Sequence, residues 1–326
     1  MAELYRQHDF ERSLAVKPTE GQPDSFTSVY GPWGYTSLTR IAGSIPLAEA
    51  TTAAYKTVPA GFELHCLQSH FLRPGVIGVP LQYDVQRLMT SGNFASRHVL
   101  AKQGEGDKAE IKAVGFPPEH EYTILPSEDT IKAAAQPIDP ESDEFNGTLV
   151  RFNLPEGTPC PPFSSTRLHV SQEPDINSRK HRIKLRVKSP LSGTSGQILA
   201  VIYLSDTFVV DAPLVVKDID FGVPKIGDKS RALPQSQLKQ FTSLTHNLRF
   251  ARLEGWDVHE GILREVSTRW VKDRRGVTSI IMRDCKGELI ATGEQEGYYV
   301  FRTAEEMMEG GDWKARSGGR AASAKI

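Results

Sequence analysis

The sequence predicts an α+β protein built from two similar units, each a helix followed by several antiparallel strands, with sheets that can pair edge to edge. Three observations predict it. The phrase "LQSHFLR" at Leu67 to Arg73 returns in altered form as "SLTHNLRF" at Ser243 to Phe250. A helical signal precedes a series of strand-like runs in each of two regions. At 326 residues the chain is too long for one small core and comfortable for two domains.

In the first region, "IPLAEATTAAYKTV" (Ile45 to Val58) sets Leu47, Ala50, Ala54 and Val58 at helical spacing. That face is made of small residues, which lets a sheet lie close, and Pro59-Ala60-Gly61 ends the helix. The runs "ELHCLQSHFL", "PLQYDVQRLM", "ASRHVLAKQ" and "AEIKAVGF" then read as strands, with "RPGVIGVP" and "SGN" as turns between them. In the second region "RIKLRVKS" reads as a strand, and "QILAVIYL" as a strand or the lead into a helix. Ser205-Asp206 opens "SDTFVVDAPLVV" with a helix N-cap signal, and Pro213 limits that helix. Strands follow in "SLTHNLRF", "GILREVSTRWV", "VTSIIMRD" and "ELIATGEQEGYYVF", with "DCKGE" as a hairpin turn. The expected boundaries are an N-terminal unit over 1–121, a linker over 122–147, a second unit over 148–305 and a flexible tail over 306–326.

Composition narrows the function classes. Charged residues make up 24% and the net charge is −1, so no overall field recruits nucleic acid or an anionic membrane. The longest apolar run, Ile198 to Leu204, is too short for membrane insertion, and the N-terminal stretch has no apolar core of a secretory signal. Cys66, Cys160 and Cys285 form no C-x-x-C pair, which argues against a disulfide framework and a zinc knuckle and for a reducing compartment. Ala324-Lys325-Ile326 shares the small-basic-aliphatic pattern of a peroxisomal address, so a peroxisomal or cytoplasmic setting is expected.

No nucleophile elbow, dinucleotide fingerprint, phosphate-binding loop or zinc-binding histidine pair is present. Three polar residues carry the candidate chemistry. Asp206, at the expected helix start, can take a proton from water while nearby helix amides hold an oxyanion; the same position also suits an ordinary cap. Ser243 and His246 lie at an odd offset in one strand and so face opposite sides unless a bulge intervenes, which denies Ser243 a histidine base. Gln295 shares a strand face with Gly293 and Gly297, which leave room beside it; it can position a water or face solvent at a sheet edge.

Read in order, these segments resemble the type II acyl-CoA thioesterases, the double hot-dog family, over about Ser28 to Arg302. "LQSHFLRPG" and "SGNFASRHVLAKQ" are similar to family strand motifs in the first half. "LSD" (Leu204 to Asp206), "SLTH", "RRG" (Arg274 to Gly276) and "QEG" (Gln295 to Gly297) follow in the family's order. The resemblance implies two antiparallel sheets each wrapping a central helix. It implies hydrolysis of fatty or polyketide-like acyl-CoA by an Asp206, Ser243 and Gln295 trio that activates water, with no acyl-serine. It implies an acyl chain lying between helix and sheet, no metal or redox cofactor, and Arg73, Arg97, Arg275 and Thr207 as candidate substrate contacts. A homo-oligomer is expected because such sheets leave open edges.

The chain departs from the family in Gly43-Ser44-Ile45 at the first helix, where two glycines and then glutamine or histidine are usual. It also has Thr245 in place of an aspartate, Gly261 in place of a tryptophan and an extra segment from Pro32 to Ala42. Those departures motivate a second reading, a non-catalytic acyl-thioester-binding protein. A hot-dog enoyl-thioester hydratase is a third; it needs an aspartate five residues before a histidine, and Asp206 leads instead to Asp211.

Overall fold

The computed structural model describes residues 10–35, 40–104, 111–114, 143–145, 152–153, 163–168, 170–171, 173–175, 177–223 and 235–309. The first half contains α1 (Phe10–Ser13), β1 (Val16–Pro18), β2 (Ser25–Ser28), β3 (Gly34–Tyr35), α2 (Ser44–Tyr55), β4 (Cys66–Phe71), β5 (Gln82–Thr90), β6 (Ala95–Lys102) and β7 (Ile111–Val114). Three short strands follow: β8 (Asp143–Phe145), β9 (Phe152–Asn153) and β10 (Phe163–Arg167). The second half continues with β11 (Lys180–Val187), α3 (Gly193–Asp206), α4 (Ala212–Val216), β12 (Leu238–Phe250), β13 (Ile262–Lys272), β14 (Arg275–Arg283), β15 (Leu289–Phe301) and α5 (Ala304–Glu309). Most of the segment expected as a linker, and the residues Ala324 to Ile326, lie outside the described residues. The described part of that segment, β8, pairs with β10.

Among the described residues, thirteen strands form one antiparallel sheet in the order β1-β2-β5-β6-β7-β4-β12-β15-β14-β13-β11-β10-β8. The two repeated sequence phrases are the two strands that join the halves. β4 and β12 run antiparallel, with Leu67 opposite Leu248 and Ser69 opposite His246. Ser69 Oγ also donates to the His246 carbonyl at 2.9 Å. The two sheets expected from the sequence are thus continuous through this seam.

The two long helices lie against each other inside the sheet. Ala42, Ile45, Leu47 and Ala48 share one buried cluster with Ile198 to Leu204 of α3. All seven residues from Ile198 to Leu204 are buried, and each large aliphatic among them contributes about 2 kcal/mol by leaving water. This helix corrects the sequence reading. "QILAVIYL" was open between strand and helix, and Asp206 was expected to begin a helix; instead it is the last residue of one. A helix enclosed on every side has no polar face, so its sequence carries no 3.6-residue period to read. "SGTSGQ" (Ser192 to Gln197) supplies its N-cap and first turn.

α2 meets the sheet through its small residues, as expected: Ala50 shares a buried cluster with Tyr83 and Val85 of β5 and Val99 of β6, and Ala54 packs against that cluster. Leu47, Ala50, Ala54 and Val58 also line a cavity of about 440 Å³, whose other walls include Gln68 of β4 and Val99 of β6. Among the described residues, no helix is long and apolar enough to cross a membrane.

One acid is buried in α2. Glu49 is 1% exposed, and its Oε2 accepts hydrogen bonds from Ser28 Oγ (2.7 Å) and Tyr83 Oη (2.6 Å). Burial outweighs those two donors and pushes its carboxyl up to about 8. In the unfolded chain it ionises near the ordinary ~4.3. The folded state therefore keeps a proton that the unfolded state releases, and stability falls as pH rises from about 4.3 to about 8. Glu49→Gln, which keeps both hydrogen bonds, is expected to melt above the parent protein at pH ~8 and level with it at pH ~4. Thermal unfolding at the two pH values checks this; an equal offset at both would contradict it.

Candidate active site

Asp206, Ser243 and Gln295 meet in space. Gln295 Nε2 donates to Asp206 Oδ1 at 2.7 Å and lies 2.5 Å from Ser243 Oγ. Each comes from a different element: Asp206 from the end of α3, Ser243 from β12 and Gln295 from β15. β15 lies between β12 and β14, and Gln295 is 1% exposed, so the solvent-facing edge reading falls. Its flanking glycines do not leave open room, as the sequence suggested. A Cβ on Gly293 would meet the Asn247 carbonyl oxygen at 2.3 Å, and one on Gly297 would meet Tyr299 Oη at 2.6 Å. They permit close approach of neighbouring groups.

Strand alternation also gives way at this point. The β12–β15 register shifts between Ser243 and Thr245, so Leu244 is the extra residue of a bulge. Ser243 consequently reaches Gln295, which stands directly opposite His246. The histidine expected on the far side of the strand is therefore a neighbour of the site. Its Nδ1 stands 3.9 Å from Asp206 Oδ1, and its Nε2 lies 2.8 Å from Ser205 Oγ. Ser205 commits its own hydroxyl proton to the Ile202 carbonyl at 2.7 Å. Nε2 must then carry the histidine's proton, and Nδ1 presents a lone pair. Burial, aided by Arg264, pushes His246 down to about 3, so the approach to Asp206 is not an ion pair at neutral pH. By alternation after the bulge, Thr245 points to the opposite face from buried His246.

Around Asp206 the electrostatics oppose one another. Asp206 is 8% exposed, and burial pushes its pKa up to about 6 in spite of the Gln295 hydrogen bond and the charge of Arg264. The carboxyl also sits at the negative end of the α3 dipole. Arg264, fully buried in β13, answers that end: its guanidinium donates to the Leu204, Thr207 and Phe208 carbonyls. Nothing but an arginine inside the run "ILREVS" signals this residue in the sequence.

The helix start that faces the acid belongs to the other half. A Cβ built on Gly43, the N-cap of α2, would lie 2.8 Å from Asp206 Oδ2. Ile45 N–H donates to the Ala42 carbonyl and Pro46 has no N–H. Gly43 and Ser44 are then the first-turn amides that can meet an anion here. The amides expected at Asp206's own helix start are thus replaced by those of α2.

The four suggested substrate contacts do not join the trio. Thr207 is 1% exposed and spends its hydroxyl on the Tyr203 carbonyl. Arg97 is buried at the cavity wall, where it ties Thr57, Met89, Thr90 and Ser96 together. Arg275 is exposed and paired with Glu296. Arg73 is exposed just beyond β4. Among the described residues no group of His, Cys, Asp and Glu side chains could hold a metal ion.

The Gln295 hydrogen bond holds the Asp206 pKa down, so Gln295→Leu is expected to raise it above about 6. His246→Asn, which can turn a donor toward Asp206 in place of a lone pair, is expected to lower it. Carboxyl-carbon NMR titration of the three proteins reads both shifts; one midpoint common to all would contradict the geometry.

Comparison with known proteins identifies the family and the fold. Residues 31–115 match the acyl-CoA thioesterase N-terminal domain and residues 139–299 match the acyl-CoA thioesterase C-terminal domain. Acyl-coenzyme A thioesterase 8 of Mus musculus is 37% identical over 71 residues; the match spans 22% of this chain and 22% of that protein's length. In fold, the chain is similar to acyl-CoA thioesterase II TesB2 from Mycobacterium marinum, with a TM-score of 0.63, 18% identity, and 90% of this chain and 98% of that one covered. A hot-dog protein from Alicyclobacillus acidocaldarius gives a TM-score of 0.58 at 16% identity, covering 91% of this chain and 100% of that one. Two domain matches in the right order, on a double hot-dog fold, place the chain in the acyl-CoA thioesterase family.

Proposed function

We propose that the protein hydrolyses acyl-CoA to a free acid and CoA by direct attack of water, with Asp206 as general base. The observation that carries this reading is the single amide nitrogen of Gln295 held by both Asp206 Oδ1 and Ser243 Oγ. That arrangement leaves Gln295 Oε1 buried and without a hydrogen-bond partner among the described residues. A buried acceptor next to a carboxylate suits a water that gives one proton to Asp206 and directs the other to Gln295.

The step balances as follows. Water oxygen bonds to the thioester carbonyl carbon as Asp206 takes its proton, and the carbonyl oxygen gains charge facing the Gly43 and Ser44 amides. The C–S bond then breaks, and the departing sulfur recovers the proton from Asp206. Ser243 needs no base in this scheme, which fits its position: its neighbour is an amide, and the nearby imidazole is turned to Ser205. A base with a pKa of about 6 is largely ionised at neutral pH yet still proton-accepting, the range in which such catalysis is efficient.

The acyl chain fits the apolar cavity beside α2. The helix starts against Asp206, and its following turns line about 440 Å³ through Leu47, Ala50 and Ala54. Gly43 to Ala54 covers about 16 Å of helix. A homo-oligomer belongs to the same reading, supported by the outermost strands β1 and β8 of the described sheet. A peroxisomal or cytoplasmic setting also belongs to it, supported by Ala324 to Ile326.

Thiol release from a panel of acyl-CoAs tests the reaction, and binding without release would favour the non-catalytic alternative. Asp206→Asn is expected to lower turnover at least ~10³-fold with the fold retained, and Ser243→Ala or Gln295→Ala by about 10²-fold each. Because ionised Asp206 is required, kcat/KM is expected to fall as pH drops through about 6. Ala54→Leu, which shortens the cavity, is expected to shift the preferred substrate to shorter chains. An unchanged chain-length profile would remove the cavity from the account.

A further inference from the structure

A second cavity, of about 360 Å³, lies on the other face of the sheet. β11 buries His181, Ile183, Leu185 and Val187 and turns Lys180, Arg182, Lys184 and Arg186 outward, with Lys188 next in the chain. Lys180 and Arg182 are balanced by Glu265, at 3.1 and 2.9 Å. Lys184, Arg186 and Lys188 have no carboxylate partner among the described residues, and these three line the cavity. The Arg186 Nε is buried there with no hydrogen-bond partner among the described residues.

The remaining wall supplies hydroxyls. Ser164 and Thr166 of β10 stand opposite Arg186 and Lys184 in the strand register, so they share the outer face with those cations. His259 closes one side but offers nothing to a ligand: its ring nitrogens are committed to Asp257 and to the Ser189 carbonyl. Gly261 gives the two cations their space. A Cβ there would press on Arg186 Nε and Lys184 Cε, each at 3.1 Å; the sequence resemblance leads one to expect a tryptophan at this position.

We propose that this cavity binds a phosphoryl group, a phosphate monoester or a diphosphate, away from the reacting centre. Three cations exceed what a single carboxylate needs, and an arginine fork beside two hydroxyls matches the several oxygens of a phosphoryl group. The cations repel one another, and burial adds to this: Lys184 is held below the usual lysine range by burial and then by Arg186. A multiply charged anion relieves both effects. The cavity is lined by Val187 and Lys188, which lead toward the start of α3, whereas Asp206 is the last residue of that helix, about 20 Å from its start. A phosphoryl ligand here is either the nucleotide end of the thioester substrate reaching round the sheet or a separate phosphorylated molecule.

Titration of the full chain with pyrophosphate, followed by calorimetry, tests the site without hydrolysis. One equivalent is expected to bind, more weakly as salt rises, and Lys184→Ala with Arg186→Ala is expected to weaken binding by about tenfold or more. Asp206→Asn should leave that binding unchanged, so the site and the hydrolytic reading fail separately. The KM for acyl-CoA against acyl-pantetheine, which lacks the nucleotide phosphates, identifies the source. A rise for acyl-CoA alone in the double variant assigns the site to the substrate's own nucleotide; no rise in either assigns it to a separate ligand. Absence of stoichiometric binding, or binding indifferent to the double substitution, overturns the proposal.

Discussion

The site depends on a carboxylate held where two antiparallel helices meet. Asp206 ends α3, and α2 begins against its Oδ2. At their other ends the helices meet again through Glu63, which accepts from Ser195 at the start of α3 and from Tyr55 at the end of α2. Removing this acid from water is the largest effect on it and the unfavourable one. The amide of Gln295 and the buried charge of Arg264 oppose it, and the positive end of α2 acts in the same direction. The outcome is an acid near pH 6, still ionised at neutrality. Neither half supplies this environment alone.

The sheet enforces that meeting. Its seam pairs β4 with β12, so the two related phrases of the sequence become neighbours with Leu67 facing Leu248. One irregularity within the seam strand decides the chemistry. Without the bulge at Leu244, Ser243 and His246 would face opposite sides; with it, both approach the group around Asp206. Placing His246 there has a consequence for the acid, since a buried neutral ring turns a lone pair toward it.

Much of the architecture was legible because it rests on local signals. The alternating strands, the "DCKGE" hairpin and the alanine-rich α2 all declare themselves by period or turn residue. The convergence of Asp206, Ser243 and Gln295 was legible only through resemblance, since their spacing in the chain carries no geometric information. α3 escaped reading because a helix apolar on every side has the composition of a buried strand. That error moved Asp206 from the end of one helix to the start of another, and it hid the place of Gly43 and the start of α2 beside the acid. The bulge escaped because "TSLTH" has no glycine or proline to mark it. Arg264 left one trace, a charge inside an otherwise apolar strand, and its partners are backbone carbonyls that no sequence pattern reveals.

Direct attack by water, with the acid taking only a proton, is the central claim. A single-turnover reaction in ¹⁸O-labelled water, followed by mass analysis of the acid and of the peptide bearing Asp206, tests it most directly. The account predicts one labelled oxygen in the released acid and none in the protein. Label in the Asp206 carboxylate would mean that the acid itself attacked the thioester, and would contradict it.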